Sequence, residues 1–324
     1  MKILITGGAG FIGSHLAATL LDCGEKVAVV DEFNAFYDPA LKRENVEPLL
    51  ANPNFSLHVA DIRDKARIGA IIKEEAPEAV CHLAARAGVR PSIEDPILYE
   101  ETNCRGTLNV LEAVKERGLK NFVFASSSSV YGINSKMPFS EEDPITSTIS
   151  PYAATKRAGE LYCFAYSHLY RLPVTCLRFF TVYGERGRPD MAVAKFTRLI
   201  HEGKAIQVYG DGGARRDFTY IGDIVSGIVN AIYTSSRFEI VNLGGSQTVE
   251  VNGLISLIEA NLGLRADVIY GRPAPGDVPI TYADVTKARR LLGFEPAVDI
   301  AEGVRRYVKW FLEREERIKG AKKP

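Results

Sequence analysis

Tyr152 and Lys156, in the run Tyr152-Ala153-Ala154-Thr155-Lys156, have the types and spacing for proton transfer. On an α-helix, side chains four positions apart stand one turn apart on the same face. Upstream, Ser127 follows the apolar run 121–125, where a buried strand would deliver a hydroxyl to a sheet edge. Phenol, ammonium and hydroxyl together make a device for taking a proton from an alcohol. A free tyrosine has a pKa of about 10, so acting as a base near neutrality asks for a drop of roughly 3 units, about 4 kcal/mol. A neighbouring ammonium favours the phenolate by Coulomb attraction, and a cation on a bound molecule adds to that. Tyr-x-x-x-Lys also recurs by chance on ordinary amphipathic helices, so the pair gains meaning only from the elements around it.

Those elements begin at the first residues. Lys2–Thr6 reads as a short buried strand running into Gly7-Gly8-Ala9-Gly10-Phe11-Ile12-Gly13, which fits both G-x-G-x-x-G and G-x-x-G-x-x-G. Between a strand and a helix, such glycines let the backbone approach a pyrophosphate at a helix N-terminus. Elsewhere they are ordinary turns. The second strand, 26–30, ends in Asp31, placed to accept hydrogen bonds from an adenosine ribose. A carboxylate there repels the extra phosphate of NADP, so NAD is the expected cofactor. Phe55–Val59 forms a third strand, and Asp61 and Ile62 just beyond it are placed to meet the adenine. A fourth strand, 79–83, runs into small residues that suit close passage of a cofactor; His82 within it reads as a packed core histidine. The chain is expected to be helical from Pro96 through Lys115. A fifth strand follows at 121–125, then a polar loop, the Tyr152 helix and a sixth strand, Val174–Phe179. Alternation of this kind predicts an α/β fold, a Rossmann-like doubly wound parallel sheet.

Beyond residue 184 the texture turns Gly- and Arg-rich, with a helix over 223–233 and a strand over 239–243 that rejoins the sheet. A last amphipathic helix is expected near 300–314, with a charged tail that frays. The expected division is a dinucleotide-binding domain over 1–180, with 223–245 returning to it, and a smaller interleaved C-terminal substrate-binding lobe, 181–222 and 246–324.

The totals exclude several classes. Forty basic and forty acidic residues in 324 give no net charge to draw the chain to nucleic acid or an anionic membrane. Five cysteines, without metal-like or C-x-x-C spacing, suggest a reducing compartment, no disulfide framework and no metal. With no signal segment and no long apolar run, the expectation is a soluble cytoplasmic protein.

Taken together, the Gly-rich stretch 6–15 and the Ser127, Tyr152, Lys156 spacing resemble the extended short-chain dehydrogenase/reductase superfamily, nucleotide-sugar branch, over nearly the whole chain. The resemblance implies catalytic roles for Ser127, Tyr152 and Lys156. It also implies a tightly held NAD bordered by Gly7, Gly10, Phe11, Ile12, Gly13, Asp31, Asn34, Asp61, Ile62, Leu83, Ala84, Ala85 and Asn103, with Tyr152 and Lys156. Within that branch, Asn34 with 37–43, the stretch 84–90, 187–192, and 275–278 with 281–284 look like the UDP-glucuronate 4-epimerases. Glu32, Ala35, Phe36, Glu185 and Ala274 depart from that pattern.

This likeness implies epimerisation at C4 of a UDP-linked uronic acid through a transient ketone. Ser128, Ser129 and Thr181 would read the sugar carboxylate with Arg188 near the pocket; Arg216, and second-rank Arg86, would meet phosphate; Tyr209 would stack on uracil and Asp277 meet its ribose. Related decarboxylases carry a Glu where Ser129 stands, and related dehydratases an acidic pair at 128 and 129. Hydroxyls cannot replace those acids as proton carriers near neutral pH. A UDP-glucose 4-epimerase, a UDP-glucuronate decarboxylase and a non-catalytic NAD sensor remain the alternatives. Relatives pair through two helices, so a homodimer through 97–117 and 151–170 is expected.

Overall fold

The computed structural model describes residues 1–272 and 278–321. Six strands, β1 (Lys2–Thr6), β2 (Lys26–Asp31), β3 (Phe55–Val59), β4 (Ala79–His82), β5 (Asn121–Ser127) and β6 (Val174–Phe179), are joined by Phe238–Leu243 in one sheet. Its order is β3-β2-β1-β4-β5-β6 and then Phe238–Leu243, with every pairing parallel. The chain therefore walks outward from β1 in one direction, returns, and walks outward in the other. Ligands of such sheets bind beyond the strand carboxyl ends at that reversal.

Alternation along the strands sorts the core. Ile3 and Ile5 face one apolar layer with Leu16, Leu20, Ile224 and Ile228, whereas Leu4 faces another with Ile68, Ile72, Val110 and Cys163. Helices Phe11–Asp22 and Ile221–Tyr233 thus cover one face, and Lys65–Glu75, Thr107–Val114 and Pro151–Tyr170 cover the other. All five cysteines are free, and four of them are buried.

Helix Pro151–Tyr170 begins where local chemistry dictates. The Ser150 hydroxyl accepts from Ala153 N at 3.1 Å, and Pro151 opens the first turn, where its missing N–H costs nothing. Glu160 then fixes the helix to the sheet: its carboxylate takes two bonds from Arg178 on β6, at 2.8 and 2.9 Å, and one from the Ser126 hydroxyl at 2.6 Å.

One expectation is refined and one fails. The stretch from Pro96 is helical to Val114 as expected, but it contains a π-helical turn over Glu101–Gly106, which carries Asn103. Asn103 uses its side chain on Arg86 N and Arg86 O, at 2.8 and 3.0 Å, and the widened turn brings it there. The last helix runs Ile300–Ala321 rather than stopping near 314. Arg314 forks onto Glu44 at 3.1 and 2.7 Å, Lys309 pairs with Glu313 one turn on, and the helix continues past them.

Breaking the Glu160–Arg178 pair leaves a buried carboxylate with only the half-exposed Arg157, at 2.8 Å, and the Ser126 hydroxyl to answer it. Arg178→Met is expected to lower unfolding free energy by about 3–5 kcal/mol. Urea denaturation followed by circular dichroism measures it, and a loss under about 1 kcal/mol would show the pair to be dispensable.

Candidate active site

Past the carboxyl ends of β1, β2, β4, β5 and β6 lies a cleft of about 360 Å³. The Gly-rich turn forms one wall with Gly7, Gly10, Phe11, Ile12 and Gly13; the opposite wall holds Ser127, Tyr152 and Lys156. Asp31, Asn34, Ile62, Leu83, Ala84, Ala85, Arg86, Ser128, Ser129, Thr181 and Arg188 complete much of the lining. A second cavity of about 140 Å³ shares Ser128, Ser129 and Thr181 with the first, and continues to Arg216.

The Gly-rich wall is shaped for close backbone approach. Gly7 has φ +70, and a Cβ on Gly13 would stand 2.3 Å from Gly7 O. Both positions exclude side chains from a turn that opens onto the N-terminus of Phe11–Asp22, which suits the pyrophosphate of a dinucleotide. At the far end of β2, Asp31 is buried, its carboxylate accepting from Ala9 N at 3.2 Å and Phe33 N at 2.8 Å. The residues present therefore fit a dinucleotide.

At the other wall, Lys156 does not bond to the phenol. Its ammonium donates to Ala125 O at 2.6 Å, and burial brings its pKa down to about 8. Burial pushes the Tyr152 phenol above its ordinary value, while the Ser127 hydroxyl and the Arg188 charge pull it back. Beside the expected ammonium, Ser127 and Arg188 thus act on the phenol. Ser127 accepts from Ser129 N and donates to the Ser129 hydroxyl, both at 3.2 Å, so its oxygen points along the lip of β5. Arg188 forks onto Asp190 at 3.0 and 2.6 Å and lies 5.2 Å from the Phe36 ring centroid.

Among the described residues, three of those named line neither cavity. The Asp61 carboxylate is turned to Arg63, accepting from its backbone and side chain at 2.8 Å each. Asn103 acts through Arg86, whose backbone it holds. Tyr209 is partly exposed beneath the Arg90 guanidinium, 3.9 Å from its ring centroid. Asp277 lies outside the described residues. Conversely, Lys42, Tyr37, Thr102, Phe180 and Met191 line the cleft without having been singled out. The apolar ones carried no signal distinguishing them from core, and Lys42 lay within the family-like stretch 37–43 without a role of its own.

Behind the cleft, His82 is held neutral. The Thr107 hydroxyl gives its single proton to Asn103 O at 2.5 Å, so it accepts from His82 Nε2 at 3.0 Å. Nδ1 then accepts from the Thr6 hydroxyl at 2.6 Å, which in turn accepts from Ala84 N at 3.2 Å. One imidazole thereby ties the first strand to the loop at 84–88 and the Asn103 turn.

The family pattern described as the NAD dependent epimerase/dehydratase family matches residues 3–244. The chain belongs to that family. A UDP-glucuronate 4-epimerase of Thermodesulfobacterium geofontis is 42% identical over 320 residues, covering 98% of each chain. The crystal structure of a UDP-glucuronic acid 4-epimerase from Bacillus cereus, in complex with UDP-glucuronic acid and NAD, superposes with TM-score 0.92 at 36% identity, covering 97% of this chain and 100% of that one. A UDP-glucose 4-epimerase of Thermotoga maritima, solved with UDP-glucose, gives TM-score 0.89 at 35% identity, covering 97% and 100%. As in other members of the epimerase family, the sheet is Rossmann-like and the chain an α/β enzyme.

Burial brings the His82 pKa down from 6.5 to about 3. Between those values the unfolded chain takes a proton that the folded epimerase-family protein refuses, so stability falls as pH drops through that window. Urea midpoints at about pH 6.5 and about pH 4.5 are expected to differ less for His82→Gln than for wild type. Equal differences would mean His82 titrates normally.

Proposed function

We propose that this protein epimerises UDP-glucuronate at C4 to UDP-galacturonate, using a tightly held NAD. The observation that carries the reading is what surrounds the phenol. Among the described residues lining the cleft, the only carboxylates are Asp31 and Glu32, both at the β2 end; beside Tyr152 stand Ser127, Ser128, Ser129, Thr181 and Arg188. A dehydratase or decarboxylase acid is thus missing where elimination or CO2 loss would need it, while hydroxyls and a guanidinium suit a uronate.

In this reading Tyr152, as phenolate, takes the O4 proton, and Ser127 hydrogen-bonds the same oxygen. Bound NAD+ supplies the acceptor for the C4 hydride and its return. Lys156 lies on the same helix face as Tyr152, with its ammonium held in place by Ala125 O. The 4-keto sugar turns over before its reduction, so the hydride returns to the opposite face. A ketone at C4 beside a carboxylate on C5 makes a β-keto acid, which loses CO2 readily. Ser128, Ser129 and Thr181, with Arg188, therefore orient the carboxylate against C–C cleavage. Arg216 takes the pyrophosphate, with Arg86 second in rank; Tyr209 stacks on uracil and Asp277 meets its ribose.

The cofactor is assigned to Gly7, Gly10, Phe11, Ile12, Gly13, Asp31, Asn34, Asp61, Ile62, Leu83, Ala84, Ala85 and Asn103, together with Tyr152 and Lys156. The sheet and residues 1–180 with 223–245 form its domain, and 181–222 with 246–324 form the sugar-nucleotide lobe. A homodimer is supported by exposed Ile97, Leu161, Phe164 and Leu169 on the two helices expected to pair. Five free cysteines support a cytoplasmic, reducing setting.

Purified protein is incubated with UDP-glucuronate without added reductant, and the sugar nucleotides are separated. UDP-galacturonate is the expected product. UDP-xylose with CO2 would mean a decarboxylase, comparable conversion of UDP-glucose a broader epimerase, and no reaction despite bound NAD a sensor. Tyr152→Phe is expected to retain NAD while turnover falls by roughly 10²–10⁴-fold or more. Substantial residual turnover would remove Tyr152 from the base role.

A further inference from the structure

Lys42 occupies the corner of the cleft where Asp31 ends β2. Its ammonium lies 3.4 Å from Asp31 Oδ1, and the side chains of the two are 8% and 4% exposed. Both line the cleft. The position is built rather than incidental. Helix Pro39–Val46, which carries Lys42, is capped by Asp38, whose carboxylate accepts from Ala40 N at 2.9 Å. One turn further on, Asn45 Nδ2 donates to Ala9 O at 3.1 Å, tying the helix to the Gly-rich turn. The Tyr37 ring covers the ammonium, its centroid 5.4 Å away.

An acidic residue at the end of the second strand selects NAD by bonding the ribose diol and repelling a 2′-phosphate, whereas NADP sites place a cation nearby. Here the two determinants coexist. We propose that Lys42 is a latent 2′-phosphate-binding residue held in check by Asp31, so that Asp31 alone decides which dinucleotide the protein takes. Glu32, the other carboxylate in the cleft, accepts from Asn34 Nδ2 at 2.6 Å and lies 3.7 Å from Arg86, so its charge is already answered. Removing the Asp31 carboxylate leaves the Lys42 ammonium facing the space that carboxylate held, with a preorganised cation for a dianionic phosphate.

This inference rests on the dinucleotide reading of the cleft, and the test separates the two. Wild type, Asp31→Ser and Asp31→Ser/Lys42→Met are purified and denatured, and the released dinucleotide is identified. NADP+ and NAD+ are then titrated onto each protein by calorimetry after exchange. Wild type is expected to carry NAD. Asp31→Ser is expected to shift the NADP+/NAD+ affinity ratio toward NADP+ by about tenfold or more, and the added Lys42→Met to reverse that shift while leaving NAD+ affinity near that of the single variant. A merely structural lysine would weaken both dinucleotides alike. No shift in Asp31→Ser, or a shift that survives loss of Lys42, overturns the proposal. Wild type binding neither dinucleotide would instead sink the reading of the cleft. Because Asp31 also accepts two backbone N–H groups, Asp31→Asn, which keeps an acceptor, is run in parallel. The same shift is required of it if the serine variant does not fold.

Discussion

The contact on which the site depends is the seating of helix Pro151–Tyr170 against β5. The backbone of the helix approaches so closely at Gly159 that a Cβ there would stand 2.3 Å from Phe124 Cζ. On either side of that contact, Lys156 reaches Ala125 O and Glu160 reaches Ser126. Three consecutive residues of β5 are thus engaged by one helix, two by polar bonds and one by an aromatic ring under glycine. Ser127 follows directly, so the hydroxyl and the phenol share one rigid frame. The Glu160–Arg178 pair extends this frame to β6, and its carboxyl is held below the usual range by Arg178 despite burial. Catalytic groups held to within a fraction of an ångström come from such elements rather than from loops.

That frame has an electrostatic consequence. In the protein alone, burial dominates both members of the pair: the phenol rises and the ammonium falls to about 8. Burial thus disfavours the charged form of each. Arg188 pulls on the phenol, yet its guanidinium is already forked onto Asp190. Further positive charge near the phenol would favour its ionised form.

Much of this was legible in the sequence because short buried strands write themselves as apolar runs between turn residues. Lys2–Thr6, Phe55–Val59 and Val174–Phe179 read to the residue, and Phe238–Leu243 read to within one. The glycine turn, Asp31 and the Tyr152–Lys156 spacing were legible for the same reason, since each places a chemical group by local geometry. What escaped depends on contacts distant in sequence. Nothing in the run around Asn103 announces a π-helical turn, because the bonds to Arg86 that accompany it span 17 residues. The last helix meets the rest of the molecule through Arg314 and Glu44, 270 residues apart. Lys42 lay in the family-like stretch 37–43, and only the fold shows it against Asp31.

The residues beyond the main sheet illustrate the same limit, because the contacts that hold them span long stretches of chain. Their strands come as two-stranded pairs: Thr181–Tyr183 with Phe218–Tyr220, Arg215–Arg216 with Val249–Glu250, and Ile206–Tyr209 with Val268–Gly271. Asp217, fully buried, joins them. Its carboxylate accepts from Gly245 N at 2.6 Å and Ala283 N at 3.0 Å, and its backbone meets Thr181 N and the Thr281 hydroxyl. Burial raises its pKa to about 6 against those hydrogen bonds, so near neutrality it is a buried anion satisfied almost wholly by backbone N–H groups. Thr181 and Arg216, which line the second cavity, flank it in space and in sequence. A change at Asp217 would therefore disturb the Thr181 and Arg216 end of the cleft while leaving β5 and its helix seated. The two halves of the site are held by separate buried charges: Glu160 at the phenol, and Asp217 at the far end.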